Sequence, residues 1–414
     1  MKRVCIPAIS APLPFLNTMV PSEKYFSSVY GVDCTRKAEN TGVYYAFDAE
    51  LEKEIRRVTC EIHAEFLRAT EKIIQSDAAL EACGIDRLFW EIIRKSWKTQ
   101  GNQSISGRLD FLLDNTNTIK LLEYNADSAG GILETAVIQR KWARSMHLKK
   151  GEDAGQKLEL ALINRWKSME IARDEVMHFM IDNEDEEKYN AAYMQEVASA
   201  AGFKSKLCIG LDDFVWSDEK IHHVDGEPVK YVWKMWSWDT VLKSRLTNPG
   251  KGPIKNNTRP KLHDILLHPD ILVLEPLWKV VTSNKMALVH LDPKDTSNIL
   301  KVSTERPESW KYFQKPVNGH GGSSVAMYEP GKKLIVQRGG SFADSKLIFQ
   351  EAAAISPLDG CYSTIGSWIV GNEFAGFGVR EDTNQIISQD SPFRAARVVK
   401  NSSENGSAAE PATP

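Results

Sequence analysis

Apolar positions along the chain follow two periods. Phe47, Leu51, Ile55, Val58, Ile62 and Phe66 recur at steps of three and four, which is one buried stripe of a helix. Asp48 stands where a cap would close its start. Further helical regions are predicted over residues 78–98, ending near Trp97, and over 155–172. The first forty residues are spaced by prolines and lack a long period, which predicts an extended arm. VMHFMI (176–181) has the length of a buried strand. Glu186 to Ala201 predicts a helix with Gly202 just past its end, and KLCIG (206–210) a second strand. Strand, helix, strand in that order is a βαβ unit and implies parallel sheet. YVWKMWSWDTVLKSRL (231–246) is aromatic-rich, and its Trp233, Trp236 and Trp238 are expected to pack in the core. Residues 248–261 are a loop by composition, ILVLEPLWKVV (271–281) is apolar and β-rich, and KPVNGHGGSSVAMYE (315–329) opens from a lysine into a glycine-rich turn. KLIVQRG, KLIFQEA, YSTIGSWIVGNEFAGFGVRED and ARVVK predict a β-rich C-terminal half, and the tail over 401–414 is expected to be disordered.

The stretch GRLDFLLDNTNTIKLLEYNADSAGG (107–131) predicts a hairpin that carries charge among its leucines. Residues two apart on a strand share a face, so Arg108 goes with Asp110 and Glu123 with Asn125. A four-residue loop, Asn115 to Thr118, pairs Asp114 with Ile119 and sets Asp110 opposite Glu123 and Arg108 opposite Asn125. Two facing carboxylates repel unless a cation neutralises them, and a set of hard oxygen donors suits Mg²⁺. The arginine beside them suits a phosphate or carboxylate partner. Two other outcomes stay open: a surface face with a plain salt bridge, or a one-residue change of register that scatters the set.

Composition narrows the class. The 414 residues are 42% hydrophobic and 26% charged with a net charge of −3, which fits a globular enzyme of two or three lobes and gives no reason to invoke nucleic acid or an anionic membrane. The cysteines at 5, 34, 60, 83, 208 and 361 include no CxxC pair and no zinc spacing, so a reducing, cytoplasmic setting is expected. Pro7, Pro12 and Pro14 break any signal-peptide core, and no apolar run has the length of a membrane span.

RLDF and LEYNADSAGG are followed in order by FMIDNEDEEKYNAAYM, VWKMWSWDT, LEPLWKVVTSNKMAL, YFQKPVNGHGGSS and YSTIGSWIVGNEFAGFGVRED. Together these stretches resemble the glutathionylspermidine synthase family, whose members are ATP-grasp carboxylate–amine ligases. The resemblance spans nearly the whole chain and starts directly at the synthetase-like part, so the amidase half of bifunctional members is expected to be absent. It implies an α/β fold of permuted ATP-grasp type, resembling glutathione synthetase, with mixed sheets and helices. The division it suggests is an N-terminal arm and helices over 1–100, a metal-binding hairpin and substrate lobe over 101–280, a nucleotide lobe over 281–400, and the tail.

By the same resemblance Asp110, Glu123 and Asn125 hold two Mg²⁺ ions on the phosphates of ATP, and Arg108 binds the reacting carboxylate or its acyl phosphate. Lys285 and Lys315 match the nucleotide-binding lysines, with Gly319 in the adjoining glycine-rich segment. Gln350 and Glu351 fall on the strand expected along the adenine ring, and Arg380 matches an arginine near the transferred phosphate. Glu186 and Glu187 match acids of the glutathione and amine region, and Ser128 a serine on the thiol-substrate side. Gly130 departs from the family pattern, which has a serine there. The segment 318–324 and the loop 248–261 are candidate lids. The implied reaction joins glutathione to spermidine with ATP. A ligase for another carboxylate and amine, or a non-catalytic nucleotide- or polyamine-binding relative, is an alternative. The expected partners are small molecules, with no nucleic acid, no membrane and a homodimer as the candidate assembly.

Overall fold

The computed structural model describes residues 1–6, 14–34, 42–249, 255–292, 297–331, 333–342 and 345–399. The tail over 401–414 and part of the 248–261 loop lie outside them. Among the described residues there are four sheets. The central, largest one runs in the order Lys2–Cys5, Val43–Asp48, Phe393–Val399, Glu373–Asp382, Tyr362–Val370, Ser106–Leu113, Ile119–Asn125, with Glu152–Asp153 pairing off the Phe393–Val399 strand. Its strands come from both ends of the chain and from the early hairpin, so the hairpin is an integral edge of the core.

The helix Ala49–Gln75 supports this sheet from behind. Asp48 accepts a hydrogen bond from Leu51 N and so ends the preceding strand and starts the helix in one residue. Ile55, Val58, Ile62, Phe66 and Ile73 are buried, each contributing about 1.5–3 kcal/mol of apolar transfer. Phe66 packs edge-on to Tyr124 of the hairpin at 5.1 Å, and His63 Nδ1 is 2.9 Å from the Tyr124 hydroxyl. Phe47, in phase with the helical stripe, belongs instead to the strand Val43–Asp48. The expected extended arm contains the strand Lys2–Cys5 and the helix Pro21–Tyr30, whose proline sits in the first turn, where its missing N–H costs nothing.

A second sheet is fully parallel, in the order Leu272–Leu274, Tyr231–Lys234, Val176–Ile181, Lys204–Ile209. The helix Asp185–Ala200 is the crossover of the expected βαβ unit, and Gly202 has φ 92° just past its end. Trp233, Trp236 and Trp238 are buried, as a packing role requires. The apolar run 271–281 is β only over Leu272–Leu274; Lys279–Thr282 is helical. Burial on every side leaves such a run without the period that distinguishes strand from helix.

The third sheet is antiparallel: Val302–Ser303, Leu347–Glu351, Tyr312–Pro316, Ala326–Glu329, Lys333–Gln337. The fourth is the small hairpin Phe214–Ser217 and Lys220–His223. No helix among the described residues is long and apolar enough to cross a membrane. The edge of the central sheet, the C-terminal ends of the parallel strands and the face of the antiparallel sheet enclose one large cleft of about 810 Å³.

Candidate active site

The hairpin sets Arg108 opposite Asn125 and Asp110 opposite Glu123, the expected register. It does so through two departures that cancel. The turn is one residue longer, because Asp114 Oδ1 accepts from Thr116 N and Thr118 N at 2.9 Å each, so Leu113 rather than Asp114 pairs with Ile119. A β-bulge between Asp110 and Phe111 then restores the offset. The hairpin is also fixed at its root, where Glu275 accepts from Ile105 N at 2.9 Å and Ser106 N at 2.8 Å while Lys279 Nζ pairs with Glu275 at 2.5 Å.

The four side chains form one connected network. Arg108 donates in a fork to Asp110, from Nε to Oδ1 at 2.7 Å and from Nη2 to Oδ2 at 2.9 Å. Its third nitrogen donates to the Gly130 carbonyl. Asn125 Nδ2 donates to Asp110 Oδ2 at 2.9 Å and to Glu123 Oε1 at 3.3 Å. Lys285 Nζ lies 2.9 Å from Glu123 Oε2 and donates to the Gly319 carbonyl. Burial pushes the Asp110 carboxyl up, and Arg108 opposes this without cancelling it. Burial would also raise Glu123, but Lys285 and Lys315 outweigh it and hold the carboxyl down at about 2.

This donor set fits a hard divalent cation. Two carboxylates and an amide offer oxygen ligands, and a half-turn of the Asn125 amide presents Oδ1 in place of Nδ2. Arg108 and Lys285 now supply the neutralising charge that a cation would bring.

Lys315, on the antiparallel sheet, is buried, with Nζ 2.6 Å from Gln350 Oε1. Burial lowers its ammonium to about 8; Lys285 adds to this, while Glu123 and Asp110 oppose it. Gln350 does not line the cleft: its side chain is turned inward, holding Lys315 and donating from Nε2 to the Leu121 carbonyl at 3.1 Å. By register Gln350 shares the sheet face of Phe313 and Lys315, so it is burial beneath Lys315 that keeps it from the cleft; the next residue, Glu351, at the end of the strand, does line it. Gly319, Gly321 and Gly322 line the same wall. Asn318 is tied by its Nδ2 to Asp239 Oδ1 at 2.9 Å and by its Oδ1 to Asn284 Nδ2 at 2.6 Å. None of the described residues of the 248–261 loop lines the cleft; Thr258 instead accepts from Trp216 N of the small hairpin at 2.9 Å.

Opposite the lysines, the cleft is acidic. Glu186 and Glu187 occupy the first turn of the helix Asp185–Ala200, where the helix dipole favours negative charge. Glu186 Oε1 accepts from Arg380 Nη2 at 3.3 Å, and Arg380 Nη1 donates to the Gln389 carbonyl at 2.6 Å. Burial pushes the Glu187 carboxyl up to about 7, and Asp182, Glu184 and Glu186 add to the shift. Gly130 sits against this group: a Cβ there would meet Glu186 Oε1 at 2.3 Å. Ser128, with φ 56°, donates to the Trp236 carbonyl at 3.2 Å.

Three supporting residues escaped the sequence reading. Asp127 bridges the end of the hairpin to the parallel sheet, 2.6 Å from the fully buried Lys234 and accepting from Trp238 N at 2.7 Å. Both stand in stretches already singled out, NADSAG and VWKMWSW, but an acid and a lysine so far apart in the chain give no local sign of pairing. Glu134 starts a π-helical turn, Glu134–Ile138; Tyr189 donates to its Oε1 at 2.8 Å, Arg380 Nη2 lies 4.0 Å away, and Oε2 has no partner. A single acid inside the run GGILETAVI was the available signal.

The glutathionylspermidine synthase preATP-grasp family model matches residues 25–399. The trypanothione synthetase of Crithidia fasciculata is 33% identical over 395 residues, covering 91% of this chain and 60% of that protein. The bifunctional glutathionylspermidine synthetase/amidase of Escherichia coli is 31% identical over 377 residues, covering 86% of this chain and 59% of that protein. The chain thus spans about 60% of the length of these curated relatives. Among solved structures, a glutathione synthetase-like effector of Globodera pallida superposes with a TM-score of 0.50 at 11% identity, over 86% of this chain and 89% of that one, a likeness of fold. The fold is α/β and glutathione synthetase-like, of ATP-grasp type, and the chain belongs to the glutathionylspermidine synthase preATP-grasp family.

Proposed function

We propose that this chain is an ATP-dependent carboxylate–amine ligase that forms an amide through an acyl phosphate, with glutathione and spermidine as its substrates. The observation that carries the reading is the convergence in one cleft of Asp110, Glu123 and Asn125 with Lys285, Lys315 and Arg380. Phosphoryl transfer needs positioning and charge neutralisation more than covalent help, and that is what such a set can supply.

Asp110, Glu123 and Asn125 would hold Mg²⁺, which when bound neutralises the β- and γ-phosphates of ATP. Lys285 and Lys315 sit where they can take phosphate oxygens in exchange for Glu123 and Gln350. Arg108, whose fork is now spent on Asp110, would offer it to the substrate carboxylate. That carboxylate oxygen attacks the γ-phosphorus and ADP leaves. The amine then attacks the acyl carbon, the C–O bond to the phosphoryl group breaks, and inorganic phosphate departs carrying one of the original carboxylate oxygens. The amine must shed a proton, and Glu187, close to neutral pH in its titration, is suited to receive it. Segment 318–324 is the lid that would keep water from the acyl phosphate.

The test is ADP release with ATP, Mg²⁺, glutathione and spermidine, coupled to product mass. The expected product has the mass of both substrates less one water, and ADP forms only when both are present. A second reading, a ligase for a different carboxylate, is favoured by the space at Gly130, which Glu186 fills. ADP release with other acyl or amine pairs alone would select it; nucleotide binding without turnover on any pair would mean a non-catalytic relative.

A further inference from the structure

Away from the cleft, the outer face of the parallel sheet is covered by the small hairpin, and three dissimilar side chains meet beneath it. Cys208 of Lys204–Ile209, Asp213 in the following turn and His223 at the end of Lys220–His223 bring a sulfur, a carboxylate oxygen and a ring nitrogen within 4.8 Å of one another. A fourth group adjoins them. His178 is fully buried, neither ring nitrogen makes a well-formed hydrogen bond although the Tyr231 backbone lies close to the ring, and the ring is 5.7 Å from that of His223. In the register of the two parallel strands His178 pairs with Lys206 and Met180 with Cys208, so His178 and Cys208 project from the same face. A buried imidazole held by no more than a poorly aligned backbone contact is costly, which asks for a better ligand.

We propose that Cys208, Asp213, His223 and His178 form a zinc-class metal site that clamps the small hairpin to the parallel sheet. One thiolate, two imidazoles and one carboxylate are the donors a borderline-soft divalent ion takes in tetrahedral geometry. Metal–ligand distances of about 2.0–2.3 Å imply ligand spacings of roughly 3.3–3.8 Å, so Cys208, Asp213 and His223 need to draw in by about an ångström, and His178, outside that group, to swing in further. His223 is already oriented for it: Nδ1 lies 2.8 Å from Asp225 Oδ1, which leaves Nε2 for the ion. Lys206, the nearby cation, is occupied by Asp225 and by Glu227 Oε2, the latter at 2.6 Å. The hairpin in turn carries the described end of the 248–261 loop through Trp216 and Thr258. The role is structural, and binding releases the thiol proton to solvent.

The experiment uses the full chain loaded with Zn²⁺ or Co²⁺ and then desalted. The expected results are one retained ion per chain, a thiolate-to-cobalt charge-transfer band with tetrahedral d–d intensity, and a Zn²⁺-dependent rise in melting temperature. Cys208→Ser removes the band, and His223→Asn, at a half-buried position that tolerates polarity, weakens retention at least tenfold. Asp225→Asn weakens it by about 10–100-fold, as an orienting group does. Asp110→Asn, on the other cluster, leaves the band unchanged. A cobalt spectrum without thiolate character, the same retention in Cys208→Ser and His223→Asn as in wild type, or no retained ion would each overturn the proposal.

Discussion

The cleft holds two groups of acids, and they are neutralised differently. At the hairpin, Asp110 and Glu123 each have a cation in contact, Arg108 and Lys285, and share the Asn125 amide. At the start of the helix Asp185–Ala200, Glu186, Glu187 and the nearby Glu134 crowd one another, with Arg380 as their main counter-charge and Lys188 spent on Asp185 at 3.1 Å. The first group keeps Glu123 ionised far below neutrality; the second holds Glu187 close to its titration point at pH 7. Charge that is balanced internally can be handed from the protein's own cations to an incoming one. Charge that is left unbalanced stores affinity for a cationic ligand. A ligase that takes metal-bound ATP on one side and a polyamine on the other needs both arrangements.

Substitutions that blur this distinction have graded effects. The largest is expected at the hairpin: Asp110→Asn and Glu123→Gln each lose at least about 10³-fold in turnover. The folded state persists, since neither change opens a cavity, although each leaves a buried cation without its carboxylate and lowers the melting temperature; turnover and thermal melting, measured together, check both halves. Arg108→Ala follows, with acyl-phosphate formation reduced about 10²–10³-fold and nucleotide affinity nearly kept, as rapid-quench and titration would show. Equal loss of both would contradict the role given to Arg108.

The next effect is on protons. Lys315 titrates near 8 in the free protein, so a triphosphate, which stabilises its charged form, draws in a proton on binding, and affinity falls by up to about tenfold per pH unit above 8. For stability alone the sign is opposite: the folded chain gains as pH rises from about 8 towards 10.5, where the unfolded lysine loses its proton. Glu187 moves the other way. A polyamine stabilises its charged form, so binding near pH 7 releases a proton, and Glu187→Gln abolishes both that release and the rising limb of kcat/KM near pH 7. Calorimetry in buffers of different ionisation heat reads both signs, and uptake at both sites would break the comparison. The smallest effect is at Gly130→Ser, where the added side chain pushes Glu186 from its place: a change of about three- to tenfold in KM for the acyl substrate is expected, with kcat nearly kept.

The large outlines were legible because they depend on period and on residue chemistry. The helix stripe from Leu51 to Phe66 follows from steps of three and four, the βαβ unit from the order of short apolar runs and a helix, and the shared faces of the hairpin from strand alternation. The exceptions share a cause, which is that the deciding contact is remote or the local pattern is degenerate. Phe47 continues the helical phase by coincidence, and only the Asp48 cap marks the change to strand. Pro21 begins a helix although prolines around it suggest an extended chain. The hairpin register came out as expected although neither the longer Asp114 turn nor the compensating bulge had been foreseen. Gln350 stays out of the cleft because it is buried against Lys315 and the Leu121 carbonyl, contacts that are remote in sequence. The Asp127–Lys234 pair and the burial of His178 beside His223 are visible only once the chain is folded.

The most direct measurement is the affinity for ADP and ATP with and without Mg²⁺, by calorimetry, in the wild type and in Asp110→Asn and Glu123→Gln. If the hairpin acids hold the cation, Mg²⁺ tightens nucleotide binding in the wild type and has little effect in either variant, while metal-free nucleotide binds all three similarly. The same Mg²⁺ dependence in all three proteins would place the cation elsewhere and remove the foundation of the proposed chemistry.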